Sequence, residues 1–331
     1  LLQVDTKEVI FTSGATESNN LAIKGVYEQY QRKGRHLITL TTEHKAVLDP
    51  HAQLERQGAE VTYLPVDSDG LLDPARLAAA IRSDTILVSI MWANNETGVV
   101  QDMAALGRVC AEKGVLLFSD ATQAIGKIPV APQAVGVHLL SGSAHKLYGP
   151  KGVGLLYLRR RKPRVQICAQ LHGGGQEQGI RAGTLNVPGI VGFGAAADLA
   201  RQSMLAEAQR LASLRDYLEA YLLKHLAAVS RNGQPDQRLP HVSNLSFAGI
   251  EGDELMRTFS QEIAISSGSA CTAASVEPSH VLLAMGASRD QAYASLRFSL
   301  GRYTTQAEID QVIELVIRGV RQLREDNPLW A

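Results

Sequence analysis

The feature that most constrains the fold is an alternation running from residue 9 to about residue 158. Short apolar, β-branched runs are followed repeatedly by stretches with helical spacing. Strands are expected at 9–12, 36–41, 61–64, 85–91, 115–119, 137–140 and 152–158. Several are apolar nearly throughout, as strands are when helices cover both sheet faces. Two helices carry end signals. Asp73-Pro74 offers an N-cap followed by proline at the first helical position, and the stretch 47–56 stops just ahead of Gly58. Alternation of this kind builds an α/β domain on a mostly parallel, seven-stranded sheet.

The pattern changes near Gly192. Leu211, Leu214, Leu218 and Leu222 recur at helical spacing, a strand is expected over 241–247, and Thr305-Gln306-Ala307-Glu308 reads as a capping box. Behind that box, Ile309, Val312, Val316, Val320 and Leu323 form the apolar stripe of a last helix. A smaller α+β domain is therefore expected over 193–331, after a large domain over 1–192. A length of 331 residues suits two domains.

Charge and cysteine usage narrow the function classes. The 33 Lys and Arg residues balance 33 Asp and Glu, so the basic excess that holds nucleic acid or anionic membrane is missing. No apolar stretch reaches the roughly 20 residues of a membrane span. Three cysteines, Cys110, Cys168 and Cys271, make no disulfide framework, and a reducing cytoplasmic compartment is expected. Gly126-Lys127 lacks the rest of a Walker loop, no Cys-x-x-Cys occurs, and His44 and His51 have the wrong spacing for a zincin, so no metal site is expected. The chain opens on Leu1 without Met and reaches a strand pattern almost at once, so a preceding segment is expected.

What remains is a constellation at strand ends, where α/β folds hold ligands. Lys146 follows a strand in Ser143-Ala144-His145-Lys146, ahead of the turn Tyr148-Gly149-Pro150. It reads either as a surface lysine or as one that holds the aldehyde of pyridoxal phosphate, flanked by the hydrogen-bonding groups Ser143 and His145, with a hydroxyl toward the phosphate. Asp120 ends another strand; it either caps the next helix or pairs with a protonated pyridine nitrogen, which would make the ring an electron sink. Thr12-Ser13-Gly14-Ala15-Thr16 joins a strand to a helix start, a natural phosphate cradle. His44 is open to two readings, a loop histidine or an aromatic plate over the ring. Asn94 and Asn95 serve either turn chemistry or a ligand. Cys271 lies among small residues, Ser266-Ser267-Gly268-Ser269-Ala270-Cys271-Thr272, without helix or strand period, like a thiol on a loop. Cys110, beside Leu106 and Val109, reads as a core thiol; Cys168 is left without a role.

The strings FTSGATESNN, TTEHKAVLD, VSIMWANNETGVVQD, SDATQAIGK, SAHKLYGPKGVG, HGGGQEQGIRAGT, SSGSACT, EPSHVL and LRFSLGRYTT, in this order, resemble the NifS/IscS-type cysteine desulfurases. These are pyridoxal-phosphate enzymes of the class-V aminotransferase family. The resemblance implies the pyridoxal-phosphate-dependent transferase fold, with Lys146 carrying the cofactor, Asp120 on its ring nitrogen and Gln123 on its ring hydroxyl. It implies His44 stacked on the ring and exchanging protons, Asn95 facing cofactor and substrate, and Ala15, Thr16, Ser143 and His145 around the phosphate. Thr184 and Arg181 are expected from the second subunit of a homodimer, and Arg297 on the substrate carboxylate.

The implied reaction converts L-cysteine to L-alanine, with the sulfur taken by Cys271 as a persulfide. It then passes to an acceptor such as an iron–sulfur scaffold or a tRNA-thiolation relay protein. The alternatives are a selenocysteine lyase, another class-V aminotransferase, or a truncated inactive protein of this fold that serves interactions. Three departures from the family pattern stand near strand ends: Ala144 for a glycine, expected to crowd the phosphate turn, His138 for an aspartate, and Phe118 for a histidine.

Overall fold

The structure, a computed structural model, describes residues 1–259, 261–267, 277–328 and 330, with the backbone alone of Ser267. The chain divides into two units. The first comprises Leu1–Pro65, Leu72–Asn94 and Val100–Met204, and the second Val66–Leu71, Asn95–Val99 and Leu205–Ala331. The main division thus falls at Met204/Leu205, where the sequence suggests Gly192. Two short N-terminal segments join the second unit.

The first unit alternates as expected: β1 (Val9–Thr12), α1 (Ala15–Tyr30), β2 (His36–Leu40), α2 (Lys45–Glu55), β3 (Glu60–Leu64), α3 (Pro74–Ala80), β4 (Thr85–Ser89), α4 (Met103–Lys113), β5 (Leu116–Asp120), β6 (Leu139–Ser143) and β7 (Gly154–Leu158). The seven strands form one sheet in the order β1-β7-β6-β5-β4-β2-β3. β7 pairs antiparallel with both neighbours and the other ladders are parallel. Ile23, Leu37, Val47, Leu87, Phe118, Leu139 and Leu156 are buried together in its core. Asp73 caps α3 through a hydrogen bond from the Ala75 N–H, 2.8 Å, with Pro74 at the first helical position.

Because β1, β2, β4, β5 and β6 share one direction, their carboxyl ends share one edge of the sheet. β6 extends further toward that edge than its apolar residues suggest. Ser141, Gly142 and Ser143 pair with Leu156, Leu155 and Gly154, so three small residues with loop-like composition are ladder residues. Gly154 permits a close approach there. A Cβ on it would lie 2.6 Å from the Cα of Gly14, so its absence lets the turn into α1 lie against the sheet end. His138 and Phe118, expected near the site, stand elsewhere. His138 precedes β6 at the opposite edge, where its Nδ1 accepts the Leu117 N–H at 3.1 Å, and Phe118 is fully buried within β5. Burial, then the charge of Arg159, lowers the His138 pKa to about 4, so it serves as a neutral acceptor.

Helix α5 (Val187–His225) begins in the first unit and ends in the second. The second unit continues with β8 (Val229–Arg231), β9 (Val242–Phe247), α6 (Gly252–Phe259), β10 (Ser266–Ser267), α7 (His280–Ala284), α8 (Arg289–Tyr293), β11 (Ser295–Ser299) and α9 (Gln306–Glu325). Its sheet is antiparallel in the order β10-β11-β9-β8. Leu211, Leu214, Leu218 and Leu222 are buried with Leu245, Phe247, Phe298, Ile309, Val316 and Val320. The Thr305–Glu308 capping box that opens α9 is formed. Among the described residues no helix is long and apolar enough to cross a membrane.

Candidate active site

Asp120 is the last residue of β5 and is buried. Its Oδ2 accepts a hydrogen bond from Asn19 Nδ2 at 2.8 Å, and its Oδ1 accepts the Thr122 N–H at 2.9 Å. Its carbonyl accepts the Trp92 N–H at 2.9 Å, which ties the residue to the segment after β4. Glu43, fully buried in the turn that follows β2, accepts the Met91 N–H at 2.5 Å. Burial pushes its carboxyl well above the usual range; the Met91 N–H opposes this, and the charge of Asp120 adds to it.

Helix α1 begins at Ala15 with Gly14 as N-cap and no side-chain cap, so its first turn presents backbone N–H groups in the manner of an anion site. Ser143, at the end of β6, lies beside that turn, its Oγ 3.9 Å from the position a Cβ would take on Gly14. The same Oγ is 2.8 Å from His145 Nδ1. Partial burial, then the charges of Lys146 and Lys151, lower the His145 pKa and favour neutral imidazole. Lys146 is exposed in the 3₁₀ turn Ala144–Leu147 that directly follows β6. Tyr148 closes that turn at φ 67°, with Lys127 Nζ 4.0 Å from the centre of its ring. Ala144 is fully buried, its methyl spent against Gly149: a Cβ on Gly149 would lie 3.0 Å from it.

His44 caps α2, its Nδ1 accepting the Ala46 N–H at 3.0 Å, which assigns the proton of the neutral ring to Nε2. Gln123 lies half-buried in the turn after β5. The first unit thus brings Ala15, Thr16, His44, Asp120, Gln123, Ser143, His145 and Lys146 to strand ends along one sheet edge. Thr184 is exposed in the segment before α5. Arg181 is paired with Glu17, Nε to Oε1 at 2.7 Å. Burial raises the Glu17 pKa, but the bonds from Arg181 and Ser13 outweigh it, so the carboxyl is held below its usual range.

In the second unit, Arg297 lies in β11 and donates from Nη1 to the Asn95 carbonyl at 2.9 Å. Its Nε is buried and has no hydrogen-bond partner among the described residues, a donor suited to a carboxylate. Cys271 lies outside the described residues. Cys110 is fully buried, and burial pushes its thiol up to about 12. Cys168 donates to Gln29 Oε1 at 3.4 Å, its pKa raised by burial and then by Glu28. Neither is an activated thiol.

The donor set fits pyridoxal phosphate. A helix N-terminus without a side-chain cap and two hydroxyl-bearing residues suit a phosphate, a buried carboxylate suits a ring nitrogen, and a lysine follows on the same edge. Asn19 and Glu43 escaped the reading of the sequence. The signal was an amide close to Leu21, Ala22 and Ile23, and an acid in the turn after a strand, neither with an obvious partner.

Residues 1–312 match the family model described as aminotransferase class-V. The chain is 57% identical over 330 residues to a protein named cysteine desulfurase IscS from Anaeromyxobacter sp. strain Fw109-5, an alignment that spans all of this chain and 81% of the relative. A solved NifS-like protein superposes with a TM-score of 0.89 at 38% identity, over 97% of this chain and 84% of its own. A structure described as SspA in complex with cysteine gives 0.78 at 38% identity, over 92% and 84%. The chain belongs to the class-V aminotransferase family, in its group of pyridoxal-phosphate-dependent cysteine desulfurases.

Proposed function

We propose that the chain removes sulfur from L-cysteine, releases L-alanine and carries the sulfur on Cys271. The observation that carries this reading is the shared sheet edge, where Asp120, Lys146, Ser143 and the first turn of α1 stand together. The cysteine named with the SspA structure supports the substrate. When bound, pyridoxal phosphate supplies an electron sink for negative charge at the substrate α-carbon. Lys146 holds the cofactor and moves the α-proton. Thr16, Ser143 and His145 bind the phosphate, Asp120 and Gln123 orient the ring, and His44 covers its face and exchanges protons. Asn95 and Arg297 bind the substrate, Arg297 at its carboxylate. The Cys271 thiolate then attacks the substrate sulfur. A sulfur–sulfur bond forms as the carbon–sulfur bond breaks, the electron pair of the broken bond stays with the carbon and takes up a proton, and return of the α-proton by Lys146 completes alanine. The sulfur leaves for an acceptor protein, an iron–sulfur scaffold or a tRNA-thiolation relay.

Incubation of the purified, cofactor-loaded protein with L-cysteine is expected to yield alanine and protein-bound persulfide, or sulfide when a thiol reductant is added. Alanine from selenocysteine alone would select the lyase, and neither product would select an inactive interaction protein.

The reading includes a homodimer. Val187, Val191 and Leu199 on α5 are 58%, 66% and 56% exposed, and Ala195 continues the same row at four-residue spacing. An apolar stripe of this kind on a helix supports burial against a second copy. Sedimentation is expected to give a dimer for the parent and a monomer for Val191→Glu. A monomeric parent that binds the cofactor tightly would refute the assignment.

A further inference from the structure

We propose that Asn19 is a positioning residue, which fixes the carboxylate of Asp120 for the cofactor ring nitrogen; the inference rests on the role given to Asp120 above. Asn19 lies in the second turn of α1 with no exposed surface, beside the core residues Ala22 and Ile23. Its Nδ2 donates to Asp120 Oδ2 at 2.8 Å, while its Oδ1 is buried without a hydrogen-bond partner among the described residues. A buried amide with an unmatched acceptor is a poor way to stabilise a helix; an apolar residue of similar volume costs less. The contact with Asp120 is what the amide accomplishes at this position.

The surroundings of Asp120 show why the contact matters. Each carboxylate oxygen has one neutral donor, Asn19 on Oδ2 and the Thr122 N–H on Oδ1. Among the described residues no lysine or arginine forms an ion pair with it. Burial of Glu43, the nearby acid, raises its pKa and so favours its neutral form. The carboxylate is thus held in orientation by two neutral donors, with no cationic side chain paired to it among the described residues, and a ligand is left to supply the positive complement. The Thr122 N–H is fixed by the backbone, so Asn19 is the side chain that sets the rotation of the carboxylate about its own axis. A ligand N–H approaching along one lone-pair direction requires that rotation to be held.

The test strips the cofactor and titrates it back, following affinity and the absorption spectrum of the bound form. Pyridoxal phosphate is compared with its 1-deaza analogue, whose ring lacks the nitrogen. Asn19→Leu is expected to weaken pyridoxal phosphate roughly tenfold, to alter its bound spectrum and to leave the affinity for the analogue unchanged. In an Asp120→Asn background Asn19→Leu should have no further effect. Asn19→Ser, too short to reach Oδ2, gives the same result if the leucine variant folds poorly. Equal losses for both ligands, or parent affinity and spectrum in folded Asn19→Leu or Asn19→Ser, overturn the inference. Parent affinity and spectrum in Asp120→Asn overturn the assignment of Asp120 itself, and this inference with it.

Discussion

Lys146→Ala is expected to abolish turnover, with a loss on the order of 10⁴-fold or more, because one residue performs two duties. In the proposed mechanism it holds the cofactor aldehyde covalently and moves the proton at the substrate α-carbon, and proton transfer by a positioned group alone contributes about 10²–10⁴-fold. The place of Lys146 in the fold suits both. It stands three residues past the end of β6, in a 3₁₀ turn closed by Tyr148 in the left-handed conformation, so its backbone is fixed while its side chain is exposed. Borohydride treatment of the parent should attach the cofactor to the peptide that contains Lys146, and the alanine variant should take up no label there. Label on Lys127, Lys151 or another lysine, or a colourless parent after reconstitution, would defeat the assignment. Stability should hardly change, since an exposed side chain is being shortened.

The strand ends were legible because their chemistry is local. A polar residue directly after an apolar run, as in Phe118-Ser119-Asp120, marks both the edge of a strand and a group that stands there for a reason other than packing. Asp73-Pro74 and the Thr305 box were legible for the same reason, since caps act within one turn. What was not legible depends on partners distant in the chain. Ser141-Gly142-Ser143 has loop composition, and only its pairing with β7 makes it a strand. The Arg181 guanidinium pairs with Glu17, a residue far from it in sequence. The division of units lies inside the continuous helix α5, where composition does not change, and residues 66–71 and 95–99 join the second unit through long-range contacts. Asn19 stayed hidden because its meaning depends on Asp120, which belongs to another element.

Cys271 decides between sulfur transfer and other pyridoxal chemistry, so its substitution carries the second large effect. The thiols within the described residues are poor candidates for the carrier. Cys110 is buried with its pKa pushed up to about 12, and Cys168 is raised by burial and a neighbouring carboxylate, so both stay protonated near neutral pH. A thiolate is the nucleophile that such a transfer requires. Cys271→Ser keeps Lys146, Asp120 and His44 and should still bind cofactor and cysteine with the parent spectral changes. A serine oxygen accepts no sulfur under these conditions, so alanine production should fall by at least about 10²-fold with little change in ground-state binding. Cys110→Ser should retain turnover but lose stability, because a hydroxyl in that fully buried site replaces an apolar contact. Cys168→Ser should change neither. Mass spectrometry of the parent after cysteine should show one added sulfur on the Cys271 peptide. Alanine formed by Cys271→Ser at the parent rate, or the added sulfur on Cys168, would show that sulfur leaves the substrate by another route.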